Sequence, residues 1–135
     1  MQRQLKFRVW DTLDERFIKC DEGYQGHYVL SLKGEFHNLQ NGSGGKEYVV
    51  QQWTGLTDKN GVDIYEGDII INHISYDESL GGQYENSVGV VKWISQKDKM
   101  DYSGWCAYPA DLPWGEENNT EVIGNIYENS ELLEP

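Results

Sequence analysis

The spacing of hydrophobic residues constrains this chain most, because it excludes a helical protein. No segment keeps the three-to-four-residue spacing of an amphipathic helix for more than about two turns. Instead, roughly seven or eight short runs alternate between apolar and polar residues or are rich in β-branched ones, and turn-forming residues separate them. The pattern therefore predicts a mainly β protein built from small antiparallel sheets.

The predicted strands are all short. They cover residues 4–10, 16–20, 27–32, 47–53, 68–72, 88–94, 105–108 and 121–127. The opening strand is predicted to be half-buried, with Leu5, Phe7 and Val9 on one face and Lys6 and Arg8 on the other.

The predicted strand over residues 68–72 contains three consecutive isoleucines, which predict a buried strand. Glycine and asparagine residues predict exposed, mobile loops over residues 33–46 and 76–87. Asn60 and Gly61 tolerate positive φ and predict a tight turn. Residues 129–135 predict one helical turn docked on the body of the protein.

The length and the charge limit the classes of function. The chain has 135 residues, enough for one hydrophobic core, and we expect a single domain over residues 1–135. Its formal net charge of −12 repels nucleic acid, so we expect no direct nucleic-acid binding. It has neither a long apolar run nor a basic-then-apolar leader, so we expect a soluble protein of the cytosol with no membrane contact.

A calcium loop is the first metal site that the sequence invites us to test. Asp58, Asn60 and Asp63 could supply alternate oxygen ligands around a glycine. However, Gly61 comes at the fourth position of the motif, and Ile69 stands where a bidentate glutamate is needed. The segment is therefore interpreted as a structural turn, and no metal is expected.

The residues needed for nucleophilic or zinc chemistry are scattered. His27, His37 and His73 lie on separate segments without a partner at ligand spacing. Cys20 and Cys106 lie far apart, are expected to be reduced, and neither lies at the start of a predicted helix, where a thiolate would be stabilised. No glycine-rich stretch continues as a phosphate-binding loop. We therefore expect no cofactor and no enzymatic activity.

The aromatic residues offer the one positive indication of a site. The chain has five Trp and nine Tyr residues, more than one small core readily buries with every polar edge satisfied. Core packing accounts for them in one interpretation; in the other, some form an exposed patch for a protein partner or for self-association. The candidate partner-binding residues are Trp53, Tyr65, Trp93, Trp105, Trp114 and Tyr127.

Three blocks of sequence resemble the YopX family of phage and prophage proteins. They are Lys-Phe-Arg-Val-Trp-Asp at residues 6–11, Gln-Trp-Thr-Gly-Leu-Thr-Asp-Lys-Asn-Gly at 52–61 continuing into Ile-Tyr-Glu-Gly-Asp-Ile-Ile at 64–70, and Glu-Val-Ile-Gly-Asn-Ile-Tyr-Glu-Asn at 121–129. The blocks span nearly the whole chain. The resemblance implies an origin in phage or prophage genomes and no particular biochemical activity.

Residues 67–71 and 89–93 also look like the first strand pair of a small SH3-like barrel, an analogy of fold that carries no function. The predicted fold is thus a mainly β protein with a small antiparallel sheet forming an SH3-like, partly open barrel. Extra N-terminal strands and a short C-terminal helical turn complete it.

Two hypotheses about function follow. The first is a non-enzymatic accessory protein of a phage or prophage in the host bacterial cytosol, which binds a protein or forms a homo-oligomer through an aromatic and acidic surface. The alternative is an acidic mimic of DNA that inhibits a host DNA-binding enzyme, which requires the carboxylates to cluster.

Overall fold

The computed structural model describes residues 4–18, 28–39, 43–44, 47–72, 86–95, 104–108, 110–114 and 118–133. These residues form twelve β-strands and one 3₁₀ turn, which is the only helical element among them. The sheets are antiparallel and include a strongly curled half-barrel sheet. The prediction of a mainly β protein with a partly open barrel is confirmed. The strands are β1 (Phe7–Asp11), β2 (Arg16–Phe17), β3 (Tyr28–Leu30), β4 (Phe36–Asn38), β5 (Ser43–Gly44), β6 (Tyr48–Thr57), β7 (Asp63–Tyr65), β8 (Asp68–Asn72), β9 (Ser87–Val90), β10 (Lys92–Ile94), β11 (Gly104–Cys106) and β12 (Thr120–Asn125).

Two compact units divide the chain. Unit 1 is Met1–Gln52 and unit 2 is Trp53–Pro135. Strand β6 contributes residues 48–52 to the first and residues 53–57 to the second. The expectation of a single domain over residues 1–135 stays a prediction.

In unit 1, β1 is the central strand of one sheet, between β2 and the first half of β6. The predicted division of its faces is wrong. Leu5 and Phe7, placed on the buried face, are 56% and 43% exposed, and only Val9 of that face is buried. Trp10, on the opposite face, is buried instead. Burial along this strand therefore increases toward its end rather than alternating.

The face that was predicted to be polar holds an aromatic contact. The ring of Trp10 meets that of Phe17 edge to face, with centroids 4.9 Å apart. The Arg8 guanidinium lies 4.6 Å above the Phe17 ring and donates a hydrogen bond of 2.8 Å to Gln51. An arginine can pack its planar group on an aromatic face while staying hydrogen-bonded, so its charge does not make the face a solvent face.

The predicted mobile loop over residues 33–46 is also partly wrong. Within that range the structure has β4 and β5, which form a small sheet with β3. Phe36 of β4 is buried. Its ring stacks on Tyr28 at 5.3 Å and meets Tyr48 edge to face at 4.9 Å. These ring contacts stabilise β4 within the glycine-rich segment, and the composition of the segment does not indicate them.

Unit 2 is built around β8, the central strand of the three-stranded sheet β12–β8–β9. The predicted strand over residues 68–72 has the bounds that the structure gives it, and Ile69 and Ile70 are fully buried. Strand β12 carries a bulge between Val122 and Gly124. The sheet therefore covers β8 on both edges.

The predicted strand over residues 88–94 is two strands. Strand β9 pairs with β8, whereas β10 pairs with β11, and the change of partner occurs at the buried residue Val91. The Val91 N–H donates to the Asp68 carbonyl oxygen at 2.9 Å, and its own carbonyl oxygen accepts from the Gly67 N–H at 2.8 Å. The chain thus stays fixed at the point where it passes between sheets.

The tail forms the predicted helical turn, as a 3₁₀ turn over Ser130–Leu133. Its predicted docking is wrong, because no residue of the turn is buried and Leu132 and Leu133 are both exposed. Of the predicted loop over residues 76–87, only the last two residues lie among those described. Among the described residues, no helix has the length and apolarity to cross a membrane.

The turn after β6 is organised by the buried carboxylate of Asp58. One of its oxygens accepts hydrogen bonds from the N–H groups of Asn60 and Val62, at 2.8 and 2.9 Å, and the other accepts from the N–H of Val122 in β12, at 3.0 Å. Gly61 has a φ of +80°, which favours glycine. The carboxylate that suggested a calcium ligand therefore serves as an acceptor for backbone donors.

Replacing this residue by alanine (Asp58→Ala) is expected to lower the free energy of unfolding by about 3 kcal/mol, because three partly buried N–H groups lose their acceptor. Urea denaturation followed by circular dichroism measures the loss. The matched control is Asp14→Ala, which removes an exposed carboxylate 3.9 Å from Arg16. Its expected effect is below about 0.5 kcal/mol. Equal losses for the two variants would contradict the role given to Asp58.

Candidate functional site

An apolar groove lies in unit 2 beside β10, β11 and the segment that follows β11, and we call it the tryptophan groove. Its volume is about 520 Å³, within the usual range for binding pockets. The large and charged side chains that line it are Ile94, Trp105, Tyr108, Asp111, Leu112 and Trp114.

The floor of the groove is part of the hydrophobic core of unit 2. Trp105 is only 9% exposed and is buried in one cluster with Ala107, Leu112 and Ile70 of β8. Side chains in such a core are close-packed and held in single rotamers. The floor is therefore a fixed surface.

The rim of the groove presents Tyr108 to solvent. Its side chain is 82% exposed. The Ala110 N–H donates to the Ala107 carbonyl oxygen at 2.9 Å, which closes a four-residue turn with Tyr108 on its outer side. Because the two alanines are buried in the core, the exposed ring is mounted on a fixed base.

Trp114 forms another part of the rim and is 61% exposed. The backbone N–H of Trp114 donates to the Leu112 carbonyl oxygen at 2.8 Å, which closes a turn with Pro113 at its centre. The proline ring fixes its own φ, and Leu112 is buried. The exposed indole is thus held by a stiff connection to the core.

Trp93 adds a third exposed ring next to the floor. It lies opposite Trp105 in the β10–β11 ladder. The two rings meet edge to face, with centroids 5.2 Å apart and planes at 84°. Trp93 is 55% exposed, so one indole of the pair supports the core and the other faces solvent.

A buried asparagine holds the far wall of the groove. Asn72, the last residue of β8, donates a hydrogen bond of 2.8 Å from its side-chain amide to the Asp111 carbonyl oxygen. It accepts one of 2.5 Å from the Asp111 N–H. The Thr120 hydroxyl donates a further bond of 3.2 Å to the same carbonyl oxygen. The asparagine side chain therefore pairs with the Asp111 backbone as a neighbouring strand would.

Gly89 of β9 allows a close approach of the groove segment to the sheet. A Cβ at this position would overlap the carbonyl oxygen of Ala107. Only glycine leaves room for that backbone contact. Gly89 and Asn72 thus hold the same segment onto the sheet at two points.

Each exposed ring carries a polar group. Within the described part of the chain, the indole N–H groups of Trp93 and Trp114 and the Tyr108 hydroxyl have no hydrogen-bond partner, and the Asp111 side chain is exposed. In its described part, the groove therefore combines an apolar floor, hydrogen-bond donors on exposed rings and the carboxylate of Asp111.

The structure brings three of the six predicted partner-binding residues together. Trp105 and Trp114 line the groove, with Trp105 as its buried floor, and Trp93 packs against Trp105 beside it. Trp53 and Tyr65 lie opposite each other in the β6–β7 ladder and are half-buried.

The other half of the predicted set has roles in the framework. The Trp53 indole N–H donates a hydrogen bond of 3.0 Å to the Leu56 carbonyl oxygen. Tyr127 is half-buried in the turn after β12, where its N–H donates to the Asn125 side chain at 3.0 Å. These contacts support the core-packing interpretation for part of the aromatic set.

Sequence reasoning missed three contributors to the groove, namely Tyr108, Asp111 and Asn72. A signal existed for Tyr108, because an aromatic residue directly before a proline is typical of an exposed turn. No local signal identifies Asn72, since its partner Asp111 lies 39 residues further along the chain.

The residues considered for catalysis or metal binding do not converge among those described. His37 lies 3.6 Å from Glu35 in an exposed pair, and Cys106 is a half-buried free thiol at the groove. Cys20, His27 and His73 lie outside the described residues. In the described ranges, no group of three or more His, Cys, Asp or Glu residues could hold a metal ion.

Comparison with known proteins places this geometry in a family. The YopX family, described as YopX protein, matches residues 6–134. The crystal structure of protein EF1440 from Enterococcus faecalis is similar, with 25% sequence identity and a TM-score of 0.61. The match covers 98% of this chain and 100% of that one.

The crystal structure of protein yopX from Bacillus subtilis has the same fold. It shares 20% sequence identity with this chain and has a TM-score of 0.52, and the match covers 95% of this chain and 97% of that one. No curated protein matches the chain.

Replacing Asn72 by alanine is expected to lower the free energy of unfolding by about 2 to 3 kcal/mol, because the Asp111 N–H and carbonyl groups lose a buried partner. Hydrogen exchange of the Asp111 amide is expected to accelerate more than exchange of the amides in the β8–β9 ladder. The control Asn118→Ala removes a more exposed asparagine that donates to the Thr57 carbonyl oxygen and is expected to leave Asp111 protected. Uniform acceleration in Asn72→Ala would contradict a local role.

Proposed function

This chain belongs to the YopX family, and from that premise we propose that it is a non-enzymatic accessory protein of a phage or prophage. It binds a partner protein through the tryptophan groove in the cytosol of the bacterial host. The phage setting follows the resemblance to the family. The mode of binding follows from the groove itself.

The observation that supports binding is the exposure of three aromatic rings around one apolar floor. Trp93, Tyr108 and Trp114 are all more than half exposed and surround or adjoin the buried Trp105. Such residues dominate the binding energy of protein interfaces, where they contribute large contact areas at a small cost in side-chain entropy. Their stiff attachment to the core lowers the ordering cost of binding further.

A catalytic role for the groove lacks support in the chemistry of its lining. Among the described residues that line the groove, Cys106 is the only one with a thiol, and none is a histidine or a lysine. A cysteine nucleophile needs a base or a neighbouring cation to form its thiolate. Binding without chemistry is therefore the function that these residues favour.

The alternative of an acidic DNA mimic gains no supporting observation. Asp11, Asp58 and Asp68 are buried, and each accepts hydrogen bonds from backbone N–H groups. These three carboxylates therefore do not contribute to an exposed phosphate-like array.

The proposal is tested by affinity capture from a lysate of the bacterial host with the double variant Tyr108→Ala/Trp114→Ala. Proteins retained by the wild-type chain are expected to fall by at least tenfold on the double variant, since loss of an interface anchor typically costs about 2 kcal/mol or more. Mass spectrometry identifies the lost proteins, and the interaction is then repeated with the purified partner.

The matched control for this experiment is Leu13→Ala/Leu32→Ala, which removes two exposed apolar side chains of unit 1. It is expected to retain the same proteins as the wild type. Equal retention by the groove variant and the control would contradict the proposal. Light scattering on both variants shows whether the groove instead joins two copies of the chain.

A further inference from the structure

We propose that the segment bound by the tryptophan groove is proline-rich, extended as a polyproline II helix, and flanked by basic residues. This inference rests on the proposed function, because it names the partner chemistry of the same groove. Three properties of the groove and its surroundings carry it: the exposed ring faces, the ring donors that have no partner among the described residues, and the charge.

The exposed rings favour an occupant that offers flat apolar surfaces at short intervals. Trp114, Tyr108 and Trp93 present their rings next to a floor that is already filled by Trp105 and Leu112. Pyrrolidine rings pack on aromatic rings, and a polyproline II helix repeats them every three residues, about 9 Å along its axis. It is also stiff before binding, so little further entropy is lost on docking.

The donors at the rim distinguish this occupant from a helix. The indole N–H groups of Trp93 and Trp114 can only donate, and the Tyr108 hydroxyl can donate as well. An α-helix lying in the groove would cover these donors while its own carbonyl groups remain bonded within the helix. A polyproline II segment has no internal hydrogen bonds, so its carbonyl oxygens are free to accept.

The lack of N–H groups in proline completes the match. The exposed rings supply donors, and Asp111 is the one carboxylate among the lining residues that the structure describes. A segment rich in proline brings carbonyl acceptors without bringing many N–H donors that would need partners. The hydrogen-bonding groups of the groove and of such a segment are therefore complementary.

The charge of the groove selects the residues that flank the prolines. Asp111 is exposed at the rim, its backbone is fixed by Asn72, and no Lys or Arg is among the described residues that line the groove. The chain as a whole carries a formal charge of −12. Arginine or lysine next to the prolines would meet a fixed carboxylate in a negative field.

The test measures binding of three synthetic peptides to the full-length chain by intrinsic tryptophan fluorescence and calorimetry. The first peptide is proline-rich with arginines at both ends, the second has glycine in place of every proline, and the third has glutamate in place of every arginine. The first is expected to bind at least tenfold more tightly than either of the others. Its advantage over the glutamate peptide is expected to shrink as salt is added.

Variants of the groove show where the peptide binds, and they separate the recognition of its prolines from the recognition of its arginines. Trp114→Ala is expected to weaken binding of the first peptide by about tenfold or more, and Trp114→Phe less, because phenylalanine keeps the ring and loses only the donor. Asp111→Asn is expected to reduce the preference for arginine over glutamate while leaving the preference for proline. Leu32→Ala is expected to change neither the preference for arginine nor the preference for proline. Thermal melting confirms that each variant is folded.

Two results would overturn the inference alone. One is that the glycine peptide binds as tightly as the proline peptide. The other is that no peptide binds although lysate capture still depends on Tyr108 and Trp114. In either case the proposed proline-rich occupant would be wrong, and the proposed function would stand. If no peptide bound and capture were the same in the groove variant and the control, both would fail. Groove-dependent self-association that the proline peptide does not disrupt would identify a second copy of the chain as the occupant.

Discussion

Burial of polar side chains at the two ends of β8 is the constraint on which unit 2 depends. Asp68 and Asn72 are buried together with Ile69 and Ile70, which lie between them. A buried polar group without a partner costs several times what a satisfied one contributes, so each must find its hydrogen bonds. Asp68 accepts from the Tyr65 N–H at 2.7 Å, and Asn72 pairs with the backbone of Asp111. Strand β8 therefore also holds the segments at Tyr65 and Asp111, although neither is its neighbour in the sheet.

The groove owes its shape to that arrangement. The segment after β11 lies on the sheet through Asn72 on one side and through the absent side chain of Gly89 on the other. Its small buried residues fill the core, so its large aromatic residues point away from it. Tyr108 and Trp114 are exposed for this reason, each beside residues that are buried. A binding surface of this kind is prepared before any partner arrives.

The candidate site could be predicted from the sequence only in part. An excess of aromatic residues over what one core can hide indicated an exposed patch; Trp105 and Trp114 do line one groove, and Trp93 contacts Trp105. Composition could not show which aromatic rings would form the buried floor and which would form the exposed rim, because the burial of each ring depends on pairing between strands. Trp53 and Trp93 have similar local sequences, rich in β-formers, and yet one indole bonds a nearby carbonyl and the other faces solvent.

Local chemistry by itself determined the class of this fold, the buried isoleucine strand, the turn at Asp58 to Gly61 and the resemblance to the YopX family. Each of these depends on residues close together in the chain, where side-chain period and allowed φ values act directly. Only the tertiary structure decided the burial of Phe36, the change of partner at Val91 and the convergence of the tryptophan groove. Each of those depends on contacts between residues distant in sequence, such as Asn72 with Asp111, whose free energy no local pattern records.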